Sequence, residues 1–223
     1  MKLKQLLFAS AISVAICTQT AMAQTPRWLD PQVNRVNTEK SRSSFFAYES
    51  ESLAKKGAKE ESNRFLSMEG TWKFRFCKDH NLAPKNFFLP DYDDTLWDDF
   101  PVPGLFEMNG YGDKIYKNVG YAWATQFASN PPHVEEKNNY TGSYRRTFNI
   151  PAQWKGDRIY VHVGSATSNL TLWVNGKEVG YSEDSKLAVE FDITKYVVPG
   201  QKATIAMQVM RWCDGSYGED QDF

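Results

Sequence analysis

The chain is short of cysteine, of histidine, of unbalanced charge and of long apolar runs. Three cysteines cannot build a disulfide framework. Cys77 and Cys213, the two beyond the N-terminal segment, read as separate unpaired residues in the core or at the surface. His80, His133 and His162 are scattered, so neither a zinc spacing nor a local Ser-His-Asp or Cys-His grouping appears. No glycine-rich phosphate loop is present. With 26 basic and 27 acidic side chains the formal charge is −1, and no basic stripe forms, which excludes the electrostatic footprint of a nucleic-acid binder. A mean hydropathy of −0.55 and a single apolar run argue against a membrane-spanning mature chain. Aromatic residues, in contrast, are plentiful: 7 Trp, 11 Tyr and 14 Phe argue for a packed core and against disorder.

The apolar run opens the chain. Lys2 and Lys4 precede an apolar stretch from Leu6 to Ile16, and Ala21-Met22-Ala23 supplies a small-x-small cleavage site. Residues 1–23 therefore read as a secretory signal peptide and predict export, to a periplasm or beyond the cell. Ile16 stands before Cys17 where a lipoprotein signal would carry a small residue. Residues 24–64 are polar and irregular, with Pro26, Pro31 and a charged stretch at 55–61, and read as an extended arm wrapping a body.

From Phe65 onward the period changes. Trp72, Phe74 and Phe76 alternate with Lys73, Arg75 and Cys77, as in a half-buried strand. Residues 79–143 read as long loops with short strands. Ile159, Val161 and Val163, then Leu170, Leu172 and Val174, repeat the alternation. Asn175-Gly176 between two such runs predicts a tight hairpin, because both residues accept positive φ. Phe191 and Ile193, a Pro199-Gly200 turn and a long strand at 203–212 complete the series. No amphipathic helix stands out. The fold class is all-β, an antiparallel jelly roll or β-sandwich over 65–223.

Such a fold suits many functions, so chemistry must come from particular residues. In Asn130-Pro131-Pro132-His133 two prolines stiffen a loop, and the Asn130 amide offers both donors and acceptors, as sugar hydroxyls require. An asparagine that merely opens a turn before proline fits the same residues. The run 211–222 leaves a strand, turns at Asp214-Gly215 and ends with Glu219, Asp220 and Asp222. These carboxylates could take sugar hydroxyls or a hard cation, or form a solvated acidic tail. The acidic stretch 91–99 lacks calcium-loop spacing and reads as a surface turn docking Trp97 into the sandwich.

The segments FLSMEGTWKF (65–74), DDTLW (93–97) leading to VPG (102–104), and GYG (110–112) resemble glycoside hydrolase family 2. IYKNVGY (115–121), the Asn-Pro-Pro loop, GSYRRTF (142–148), WVNG (173–176) through GYSEDS (180–185), and RWCDGSYGEDQD (211–222) narrow the resemblance to the large bacterial β-galactosidases. The resemblance implies a sugar-binding jelly roll whose loops complete the active site of a distant (β/α)8 barrel. By that likeness Asn130 contacts the galactosyl unit of a β-galactoside. Asp222 contacts galactose and helps hold a monovalent cation, usually sodium. Asp214 and Glu183 match positions near a secondary magnesium site, although Glu183 is usually Gln there and the stretch 27–33 matches that site poorly. His133 replaces a more common apolar residue.

Family hydrolysis retains configuration through two carboxylates about 5 Å apart. Both are glutamates of the barrel, as are the principal magnesium ligands, so no catalytic residue is expected in this chain. The sequence stops within the last motif, where a Trp-Arg continuation is expected. The expected protein is an N-terminal portion of an exported β-galactosidase, with the remaining domains of the parent as partners, possible homo-oligomerisation of that parent, and no activity alone. The alternatives are a stand-alone secreted carbohydrate-binding module and a docking protein that has lost its site.

Overall fold

The computed structural model describes residues 25–117 and 119–219. The segment read as a signal peptide, and Asp222, lie outside the described residues. Among the described residues nine strands follow in chain order: β1 (Arg35–Val36), β2 (Gly70–Cys77), β3 (Asp98–Val102), β4 (Thr141–Asn149), β5 (Tyr160–Val163), β6 (Asn169–Val174), β7 (Lys177–Glu183), β8 (Val189–Asp192) and β9 (Lys202–Met210). Seven form one sheet in the order β1-β7-β6-β9-β4-β2-β3, while β5 and β8 form a second. Every pairing is antiparallel. The architecture is a β-sandwich with unequal layers, and among the described residues no helix is long and apolar enough to cross a membrane.

Period-two alternation sends one set of side chains between the sheets. Trp72 and Phe74 of β2, Leu170, Leu172 and Val174 of β6, and Ile205 of β9 meet Val161 and Phe191 of the small sheet. Each fully buried side chain of this kind contributes about 1.5–3 kcal/mol. Gly142 is required here, because a Cβ would stand 2.6 Å from Phe106 and 2.7 Å from Phe74. The Asn175-Gly176 turn has φ of 50° and 79°, the positive pair that a tight hairpin between β6 and β7 demands.

Opposite residues on the same strands face outward, and long loops cover them. Phe87 and Trp97 pack on Ala206 of β9, and Phe88 stacks on Trp173 of β6 with ring centroids 5.1 Å apart. Trp97 is therefore buried, but against the outer face of the large sheet and not between the two sheets. Trp28, Trp123, Phe127, Tyr181, Met210 and Trp212 form a second outer cluster.

The arm is more ordered than its composition predicts. Residues Arg35–Val36 pair with β7 at the sheet edge. A helix, α1 (Glu51–Lys56), is too short for apolar periodicity to reveal and buries none of its residues. Local chemistry marks its ends: Ser50 Oγ accepts from Leu53 N–H at 3.2 Å, and Gly57 closes it at φ 72°.

Candidate functional site

The loop carrying Asn130 is built from backbone hydrogen bonds. His133 N–H donates to the Asn130 carbonyl at 2.8 Å, closing a tight turn around the two prolines. The Tyr217 hydroxyl then bridges the turn. It accepts from Asn130 N–H at 3.1 Å and donates to the His133 carbonyl at 2.5 Å. Asn130 itself is exposed. Its backbone is fixed while its side chain stands at the surface, where an amide can meet a hydroxylated ligand.

Tyr217 belongs to a short helix, α2 (Ser216–Glu219), which follows the Asp214-Gly215 turn. Its ring packs edge-on against Trp123, with centroids 4.8 Å apart. The strand-to-helix turn is held from both sides. Asn139, fully buried, donates through Nδ2 to the Trp212 carbonyl at 2.8 Å and accepts from Trp212 N–H at 2.9 Å. Ser216 Oγ accepts from Cys213 N–H at 3.2 Å, and the Trp28 carbonyl accepts from Asp214 N–H at 3.0 Å. The Asn130 loop and the start of the 211–222 motif thus form one unit, although 87 positions separate Asn130 from Tyr217.

Glu183 and Asp214, expected near a cation, do come together, and Cys213 joins them. One ligand atom from each lies within 4.8 Å of the others. The Tyr181 hydroxyl donates to Glu183 Oε1. Burial, then the Glu183 carboxylate, raises the Tyr181 phenol far above its ordinary range. The same two causes push the Cys213 thiol up to about 12, so without a cation it stays protonated at neutral pH. Two carboxylates suit magnesium, which prefers an octahedron of oxygens; a buried thiol does not. Among the described residues no side chain from the 27–33 stretch belongs to the group. The donors present therefore do not fit a magnesium site.

Cys77 and Cys213 are both free thiols. The acidic stretch 91–99 is occupied by structural bonds: Asp93 accepts from Thr95, Asp94 pairs with Arg145, Asp98 accepts from Tyr111 and Asp99 pairs with Lys73. Sequence reading missed Tyr217, Asn139 and the part of Cys213 in the cluster. Each acts across a long stretch of chain; the sequence signal that could have shown this turn docking inward is the aromatic pair Trp212, ahead of α2, and Tyr217, within it.

Residues 65–223 match the family described as glycosyl hydrolases family 2, sugar binding domain. The chain is similar to a β-galactosidase of Priestia megaterium, 37% identical over 199 residues, which cover 89% of this chain and 19% of that protein. It is also similar to a β-galactosidase large subunit of Leuconostoc lactis, 34% identical over 210 residues, covering 88% of this chain and 33% of that one. A solved β-glucuronidase of Ruminococcus gnavus aligns with 65% of this chain and 20% of its own, at 23% identity and a TM-score of 0.45. The chain thus spans a minor part of the relatives it matches, and that part is the one that the family description calls sugar-binding. The chain belongs to glycoside hydrolase family 2, as a bearer of its sugar-binding domain.

Proposed function

We propose that this chain is the N-terminal, sugar-orienting part of an exported β-galactosidase that hydrolyses terminal non-reducing β-D-galactose residues with retention. The carrying observation is the Tyr217 bridge, which holds the Asn130 loop rigidly against the segment leading toward Asp222. In this reading Asn130 and Asp222 bind the galactosyl unit, and Asp222 also helps hold a sodium ion. Rigid placement of such groups helps bring a substrate to its reactive geometry. The two glutamates of the chemistry, and the principal magnesium ligands, belong to a barrel beyond these residues. Leu105, Met108, Tyr116 and Val119 are 65–87% exposed and supply apolar surface for that neighbour.

The test is hydrolysis of a nitrophenyl β-D-galactoside by the full-length gene product, beside the 223-residue chain alone. Turnover is expected from the former and none from the latter. Asn130→Ala should lower kcat/KM by about tenfold, roughly 1.4 kcal/mol of binding that a hydrogen-bonding amide supplies. A gene whose reading frame stops at the Phe223 codon, with galactose bound by the chain alone, would overturn the enzyme reading in favour of a stand-alone module.

A further inference from the structure

We propose that Glu183, Cys213 and Asp214 form a mixed thiolate–carboxylate site for a borderline-soft divalent cation of the zinc class, in place of a magnesium site. Three donors of this kind, all within 4.8 Å, match the three protein ligands plus water of an open tetrahedral zinc site. Cys213 and Glu183 are buried while Asp214 is only partly so, so the group meets solvent through Asp214. The Tyr181 hydroxyl on Glu183 Oε1 restricts that carboxylate, as an outer-shell donor does for a metal ligand.

A second observation points to the same place. Asn169 lies directly opposite Glu183 in the β6–β7 ladder, so both side chains leave the sheet on its outer face. Asn169 is 1% exposed, and its Nδ2 has no hydrogen-bond partner. A buried amide donor left unpaired is costly, and a second water, accepting an O–H from the cation's own water beside Glu183, would also accept its hydrogen bond. Cation binding replaces the Cys213 S–H bond with an S–metal bond, and the proton passes to solvent. The inference stands on these side chains and does not require the galactosidase reading.

The test loads the full chain with zinc or cobalt(II), removes unbound metal by gel filtration, and measures metal per chain beside the absorption spectrum. One ion per chain is expected, with a thiolate-to-cobalt charge-transfer band in the near ultraviolet. A large excess of magnesium should not displace it. Cys213→Ser, close in size, should abolish the band and weaken zinc at least about tenfold. Absence of the band in the unaltered chain overturns the proposal, even if the variant fails to fold. So does displacement by magnesium, or zinc binding that Cys213→Ser leaves unchanged.

Discussion

On one face of the seven-stranded sheet, Trp72, Phe74, Leu170 and Leu172 meet a second sheet in a contact made of apolar side chains. On the other face the cover is loop, and buried polar groups hold it in place. Arg145 of β4, 4% exposed, pairs with Asp94 at 2.7 Å and donates to the carbonyls of Phe87, Leu89 and Tyr92. Asn139 does the same for the turn after β9. The inner face resembles a conventional core in which many substitutes of similar volume would serve. The outer face depends on a few hydrogen bonds with exact partners, and the Asn130 loop, the cation cluster and α2 are all built on it.

The comparison can be broken first at the inner face. Phe74→Ala removes a side chain with no exposed surface and should cost about 4 kcal/mol, read as a lower urea midpoint with all probes shifting together. Arg145→Ala should cost somewhat less, about 3 kcal/mol, because Asp94 is partly exposed and recovers some hydration. Its effect should be local: amide exchange should rise across residues 85–97 while β4 and β9 stay protected. Uniform loss of protection would show that the two faces are one cooperative unit.

The smallest effect concerns pH. Burial lowers the pKa of His80, against weaker opposing pulls from Glu136 and Asp79. The native state therefore binds that proton less readily than the unfolded chain, whose histidine titrates near 6.5. Stability from this group is complete above that value and falls as pH drops below it, until the native pKa is passed. His80→Gln should flatten the decline in melting temperature between about pH 7 and pH 5. An unchanged slope would assign the decline to other groups. His80 sits edge-on to Trp28 at 5.4 Å, so it reports on the outer cover specifically.

Legibility in the sequence divides along the same line. Alternation at 72–77 and 170–174 revealed the inner face, because burial on one side of a strand leaves a period of two. The Asn175-Gly176 hairpin was equally plain. Nothing periodic marks Arg145, whose neighbours Ser143 and Thr147 are polar too, and whose acceptors are carbonyls more than fifty positions away. The Asn130 loop was visible as a stiff turn, but its clamp was not, since a tyrosine hydroxyl bonding two backbone groups leaves no local pattern. Cys213 read as an unpaired residue of either core or surface, and the structure buries it; the return of β7 beside it brings Glu183 within reach.

The two-residue pairing of the arm has a consequence for how molecules meet one another. The large sheet has two rims. On one, β3 carries Asp98, Asp99 and Pro101, charges and a missing donor that discourage another strand from adding. The opposite rim would be β7, with its unpaired amides and carbonyls, were it not for Arg35–Val36 lying against it. Gly180 makes that approach close: a Cβ there would stand 2.3 Å from the Val36 carbonyl oxygen. Two paired residues thus close an edge that would otherwise be open to strand addition, and loss of the chain ahead of residue 38 would uncover that edge and strip Trp28 from the outer cover at the same time.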